Sequence, residues 1–467
     1  MSEVSTAADA PPGARPSGRL EAEVAARLDA LPVGRWHRRV LVVVGLGSFF
    51  NFFEVALGSL LIPLLPEGWA ATSTDKSLLI GATFVGELFG ALLLSGLADR
   101  YGRRRMFQIN LISYAVLSVA AACAPDVASL IVLRVLLGVG LGAELALVDT
   151  YLTEMMPAAR RGRMLASAYA FGMLAVPVAG VLAAGLPSSV AGVDAWRWLM
   201  ALAGAGAVSV WLLRRRLPES PRWLALHRPD QALEAVARIE SGATRGRTDT
   251  VPDRLDTAPV ARPAPGPPQD ALRLWGPALR HRTALLCVME SLGPIGFYGF
   301  SSIAPLVLLH KGFTVVESLS YTALTALGYP LGCVLLMWVA ERIQRRTLVV
   351  TTSLLVAVAG TVFGLATSVW VIVPAGLLTS LAGVVNATVS RSYGAELMPT
   401  QVRNLALGRT YSLSRLVAAV LPFCTLPVLD ALGPGLLFLG CAVLIALMSV
   451  IVARLGPKTN AAPLDGI

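Results

Sequence analysis

Twelve apolar runs, each long enough to cross a bilayer, are the strongest constraint on how this chain can fold. They occupy about 40–62, 78–98, 106–124, 128–152, 164–186, 195–213, 283–309, 317–340, 347–368, 370–394, 405–429 and 433–454, each closed by charge, proline or glycine. A helix of roughly 20 mostly apolar residues spans a hydrocarbon core about 30 Å thick. Such a helix satisfies its own backbone hydrogen bonds, which water cannot do there. The chain is 55% hydrophobic and only 15% charged, where a soluble domain carries about 25% charge. An all-α integral membrane protein with twelve transmembrane helices is expected, not a water-soluble globule.

The basic residues give the orientation. Thirty-two Lys and Arg fall in alternate connections: the N-terminal tail, 99–105, 153–163, 214–282, 341–346, 395–403 and the C-terminal tail. The opposite connections hold only Lys76 and Lys311. Lys and Arg collect on the cytoplasmic side, so both termini are placed there, in a plasma membrane. Trp36, Trp69, Trp196, Trp211, Trp275, Trp338 and Trp370 stand near span ends, as an aromatic belt would. A net charge of +10 would suggest nucleic acid on a soluble domain. Here it marks one membrane face, and no nucleic-acid partner is expected. The five cysteines form no Cys-x-x-Cys pair and the four histidines avoid the span centres. Neither cofactor nor metal is expected, and enzymatic chemistry has no clustered ligands to serve it.

The chain repeats itself. Asp99-Arg100-Tyr101-Gly102-Arg103-Arg104 follows span two, and Glu341-Arg342-Ile343-Gln344-Arg345-Arg346 follows span eight, 242 residues later. Glu154-Met155-Met156-Pro157 with Arg161 follows span four, and Glu396-Leu397-Met398-Pro399 with Arg403 follows span ten, again 242 later. Two motifs sharing one offset imply two pseudo-symmetric six-helix bundles, a plan used by secondary transporters. The divisions are a tail over 1–38, a bundle over 39–213, a linker over 214–282, a second bundle over 283–455 and a tail over 456–467. The N-terminal tail reads as partly disordered. The linker, with five prolines between Pro259 and Pro268, reads as unable to bury a core.

Gly96-Leu97-Ala98-Asp99-Arg100-Tyr101-Gly102-Arg103-Arg104 resembles the signature loop of the major facilitator superfamily. Pro218-Glu219-Ser220-Pro221-Arg222-Trp223-Leu224 and Glu396-Leu397-Met398-Pro399-Thr400-Gln401-Val402-Arg403 resemble motifs of its sugar-porter and metabolite–proton symporter branches. The resemblance covers nearly the whole chain except the tails and about 240–270. It implies alternating access, with an acid in helix one and an arginine in helix four coupling protons; Glu54 and Arg134 match those positions. It also matches Arg415 to an arginine common in the organic-ion and metabolite branch. The second-half loop departs from the pattern, with Trp338 and Gln344 in place of Gly96 and Gly102.

Ionisable residues inside spans are costly and therefore candidates for function. Glu54 and Arg134 lie about 12 and 9 Å from the outer ends of spans one and four, which allows a pair. That pair is either proton-coupling or a fixed ion pair. Glu87 and Glu144 are alternative proton carriers. Arg415 needs an anion, supplied either by Glu87, Glu144 or Glu290 or by a substrate carboxylate. Asn51, Tyr298, Asn386 and Glu290 are further pocket candidates. Asp99, Arg103, Glu154, Arg161, Glu341, Arg345, Glu396 and Arg403 form a candidate gate, against a plain topology signal. Asp149 and Arg391, also 242 apart, are added to that gate. The expected activity is secondary transport of a small polar metabolite, an organic acid ahead of a sugar, by a functional monomer using protons. Export, uniport and nutrient sensing are the rivals.

Overall fold

The structure, a computed structural model, describes residues 17–70, 72–244, 274–339 and 342–457. Glu341, the side chain of Arg403 and the proline cluster lie outside the described residues. Ten spans run Arg35–Leu60, Ser73–Tyr101, Arg103–Ala122, Val127–Met155, Arg161–Gly185, Ala195–Arg214, Arg280–Ser301, Val315–Val339, Arg345–Leu365 and Val369–Leu397. One long helical stretch follows, Thr400–Leu455, and it contains the last two. Gly433 divides it, with φ 77° and ψ 173°, immediately before Pro434. Only glycine adopts that backbone readily. Twelve crossings result.

Local chemistry explains where the helices begin and break. Spans two, four and eight start at reciprocal caps. The Thr72 hydroxyl accepts from the Asp75 amide while the Asp75 carboxylate accepts from the Thr72 amide; Asp126 with Ser129 and Thr314 with Glu317 repeat the arrangement. Each satisfies donors that the first helical turn leaves open. Span five is interrupted at Leu174, three residues before Pro177. Span eight is interrupted at Leu327, three before Pro330. Proline cannot supply the amide that would bridge such a break.

Within the first half, span two packs on span four, span three on spans four and six, and span one on span five. In the second half, span nine packs on span ten and the long final stretch, as does span seven. The halves meet where span two lies against that final stretch and span five against span eight. Leu93, Val116, Val181, Val358 and Val443 face outward, each more than half exposed. Outward apolar side chains are stable only against lipid, so the chain is a multi-pass membrane protein. Trp275, Trp338 and Trp370 are likewise exposed near span ends. Trp196 is instead fully buried, with the Arg197 guanidinium 4.3 Å from its ring centre.

Spans two and four touch backbone to backbone. A methyl group on Gly86 would sit 2.7 Å from the Gly138 Cα, and one on Gly142 would sit 2.7 Å from the Glu87 Cα. Gly86 and Gly90, and Gly138 and Gly142, are each four apart, so one helical face carries each pair.

The linker and the N-terminal tail differ from expectation. Helices Ser17–Asp29, Pro221–His227 and Pro229–Thr244 pack together on the basic face. Leu20, Val24 and Leu28 meet a core containing Ala232, Val236 and Ile239, all buried. Their spacing is that of amphipathic helices. Arg27 donates two hydrogen bonds to Glu240, of 2.8 and 2.6 Å. Asp29 accepts from Arg161 at 3.1 Å and Arg222 at 3.0 Å. Residues 215–244 therefore do contribute a small core.

Candidate functional site

One cavity lies between the halves, with about 700 Å³ of atom-free space including its open mouth. Phe52 of span one and Tyr169 and Met173 of span five wall one side. Glu290, Phe297 and Tyr298 of span seven, Asn386 and Arg391 of span ten, and Tyr411 and Arg415 of span eleven wall the other. Beyond the cavity, toward the ends that carry Lys76 and Lys311, the halves close. The Ser77 hydroxyl donates to the Pro422 carbonyl at 3.0 Å, and the Phe84 and Tyr298 rings meet edge to face at 4.9 Å.

Arg415 is 3% exposed and crosses the interface between the halves. Its Nη1 donates to Glu87 Oε2 at 2.7 Å and to the Tyr298 hydroxyl at 2.7 Å, and its Nη2 to the Tyr411 hydroxyl at 2.5 Å. Of the three acids Glu87, Glu144 and Glu290, the structure brings Glu87 to Arg415. Glu290 lines the same cavity without a described ion pair. Asn386 lines it too, held by donation to the Val349 carbonyl, Thr352 and Ser353 of span nine. Asn51 does not reach it. Its amide donates to the Leu141 carbonyl at 3.1 Å, between spans one and four.

The expected Glu54–Arg134 ion pair is not formed. Both residues are buried, but the Glu54 carboxylate accepts from the Ser118 hydroxyl. Arg134 Nη2 meets the Glu54 backbone carbonyl at 3.5 Å, and its Nε donates to the Leu79 carbonyl at 3.2 Å. Rotation about the span-one axis aims the carboxylate at span three rather than span four. Glu144 has a partner absent from the sequence reading: Arg214, at 2.6 Å, with both side chains at most 1% exposed. Asn110 donates to the other Glu144 oxygen at 2.8 Å, and Arg214 also donates to the Val44 carbonyl and stacks on Phe107. In the sequence Arg214 stands at the end of the sixth apolar run, directly before Arg215 and Arg216, where a loop arginine would stand. Gly47 faces this pair where any side chain would collide with it.

The signature loop folds onto its own half. Arg103 Nη1 pairs with Asp99 at 2.8 Å and its Nη2 with Glu154 at 2.9 Å. The Glu219 carboxylate accepts from the backbone amides of Arg103, at 2.9 Å, and Arg104, at 3.1 Å. Burial pushes the Glu219 carboxyl upward, against the lowering effect of those amides. Among the described residues, the ion-pair partner of Asp99 is Arg103 of the same loop. The second half repeats the central contact, Arg345 to Glu396 at 3.3 Å. Arg161 binds Asp29 of the N-terminal helix instead of a gate partner. Asp99 is 77% exposed and Arg103 10%, so their removal has unequal consequences. Asp99→Asn is expected to leave the melting temperature near wild type, because an exposed pair is weak. Arg103→Leu is expected to lower it by several degrees by stranding Glu154. Thermal melting of both purified variants checks the order.

Asp149 and Arg391 come together across the halves through Tyr169. The tyrosine hydroxyl donates to Asp149 at 3.3 Å and accepts from Arg391 at 2.6 Å. Tyr169 carried no signal in the sequence beyond being polar in an apolar span. The glycine pairs of spans two and four did carry one, the Gly-x-x-x-Gly spacing.

The profile of the family described as "Sugar (and other) transporter" matches residues 42–467. The chain belongs to that family. It is a secondary transporter of the major facilitator superfamily. It is 27% identical over 449 residues to the niacin transporter NiaP of Acinetobacter baylyi, covering 95% of this chain and 99% of that one. It is 26% identical to a gallate transporter of Pseudomonas putida, covering 68% of each. Among solved structures it matches the xylose transporter XylE of Escherichia coli in a partially occluded inward-open conformation. The TM-score is 0.71 at 18% identity, covering 92% of this chain and 99% of that one. At that identity the likeness shows the shared fold. The cavity of this transporter thus lies between the two bundles of a major facilitator.

Proposed function

We propose that this transporter moves a small organic acid with protons, by alternating access, across the plasma membrane with both termini cytoplasmic. The carrying observation is the cavity wall, where Arg391 and Arg415 stand among Tyr169, Phe297, Tyr298 and Tyr411. Guanidinium groups match carboxylates, and aromatic faces match a flat ring. Niacin and gallate, named for two relatives, are both aromatic carboxylates, which supports an acid over the neutral pentoses of the structural neighbours.

Charge balance supports proton coupling. Two arginines of the cavity wall face Glu290 within it, Glu87 behind Arg415 and Asp149 behind Tyr169. A substrate carboxylate would be a fourth anion against two cations. In a low-dielectric site such an excess favours proton uptake by one of the acids. Glu54 and Glu290 are the proposed proton carriers, since Glu87 and Glu144 are held in ion pairs with Arg415 and Arg214. Neither Glu54 nor Glu290 has a described ion pair. The contacts at Ser77 and Phe84 would close one face in this state, and the Asp149–Tyr169–Arg391 bridge would act at the other.

Counterflow in proteoliposomes tests the substrate class. Vesicles preloaded with unlabelled nicotinate, gallate, succinate or xylose are offered the labelled compound. Accelerated exchange of an aromatic acid, with none of xylose, is expected. Exchange of xylose alone would overturn the reading.

A further inference from the structure

We infer that Arg391, rather than Arg415, takes the carboxylate of a planar aromatic acid, in a box formed by Tyr169 and Tyr411. The inference rests on the organic-acid reading above and assigns its central contact. Both arginines line the cavity, but their forks are not equally open. Arg415 already donates to Glu87, Tyr298 and Tyr411, so both of its terminal nitrogens are engaged and its charge is neutralised. Arg391 makes one described hydrogen bond, to the neutral Tyr169 hydroxyl. Among the described residues no carboxylate lies within ion-pair distance of it. Its nearest acid along a hydrogen-bonded path, Asp149, is one hydroxyl removed.

The surroundings suit a flat anion. The Arg391 guanidinium carbon is 5.4 Å from the Tyr169 ring centre and 5.7 Å from that of Tyr411. Two rings flank the cation, and among the described contacts only its Nη1 is engaged, by the Tyr169 hydroxyl. Planar bidentate recognition is what a guanidinium offers and an ammonium does not. Phe52 and Phe297 add apolar wall for the body of the ligand.

Position gives this contact a second consequence. Arg391 belongs to the second half and Tyr169 with Asp149 to the first. A carboxylate arriving at Arg391 competes with the Tyr169 hydroxyl for the guanidinium. Binding would therefore loosen the bridge between the halves, and occupancy would be read directly at a gate. A ligand shifts a conformational balance only through such a difference in contacts.

The test is equilibrium binding of radiolabelled nicotinate to the purified full-length transporter, with nicotinamide as the uncharged probe. Wild type is expected to bind nicotinate in preference to nicotinamide. Arg391→Lys is expected to weaken nicotinate by on the order of 10- to 100-fold, the scale of a charge-assisted hydrogen bond lost, with little change for nicotinamide. Tyr169→Phe frees the fork and is expected to tighten nicotinate several-fold. A folded Arg391→Lys with wild-type affinity, while Arg415→Lys loses it, would overturn the inference and leave the organic-acid reading standing. If Arg391→Lys does not fold, an unchanged affinity in Tyr169→Phe would overturn it equally. A wild type that exchanges xylose but binds neither nicotinate nor gallate would sink both readings.

Discussion

Gly138→Leu is expected to prevent the first bundle from assembling. At this position even a methyl group would lie 3.0 Å from the Gly86 Cα and against the Thr83 carbonyl. Neither neighbour is a side chain that can turn aside. Relief requires spans two and four to separate along a seam that continues through Gly90 and Gly142. Helices in lipid gain little from hiding apolar surface, so close packing supplies much of their association. A loss exceeding about 4 kcal/mol, the exceptional end for single substitutions, is expected. Detergent-extracted protein should elute as aggregate in size-exclusion chromatography. Gly162→Leu is the control, because nothing lies within 4 Å of its Cβ direction. A monodisperse Gly138→Leu protein melting like wild type would show that the seam can open.

The second large effect concerns the Glu87–Arg415 pair. Arg415→Leu is expected to destabilise the transporter by about 3–5 kcal/mol, because it leaves a buried carboxylate without its cation. Glu87→Leu alone should do comparable harm. The double variant should recover most of the loss, since apolar residues of similar volume often replace a buried pair at no net cost. The two side chains are 3% and 5% exposed and belong to opposite halves. Recovery in the double variant would therefore identify the pair as one unit across the interface. Additive losses would mean that Arg415 owes its stability to Tyr298 and Tyr411 instead. Thermal melts of the four proteins distinguish these outcomes.

Much of this architecture is legible in the sequence, for physical reasons that also set the limit. Span length and hydropathy are one-dimensional quantities, and so is the 242-residue offset. That offset pairs Arg103–Glu154 with Arg345–Glu396, and both are ion pairs in the fold. What cannot be read along one dimension is the rotation of each helix about its axis. Glu54 and Arg134 lie at matching depths, yet the carboxylate turns to Ser118. Glu87 and Arg415 are 328 residues apart, and only the apposition of spans two and eleven makes them partners. Arg214 lay at a span end, where a charge normally reaches the interface. Tight packing at Gly47 instead let it turn inward to Glu144. The helices at Ser17–Asp29 and Pro229–Thr244 were legible in principle. Leu20, Val24 and Leu28 recur every four residues, a periodicity obscured by nearby prolines and glycines.

We propose that an organic acid crosses with a proton. The most direct test is simultaneous measurement of both fluxes in proteoliposomes, using labelled gallate outside and a trapped pH dye inside. Protein-free liposomes correct for passive entry of the weak acid. Uphill gallate accumulation under an inward proton gradient, with matching internal acidification above the liposome control, is expected. Gallate entry that only equilibrates, with internal pH following the protein-free control, would contradict the account.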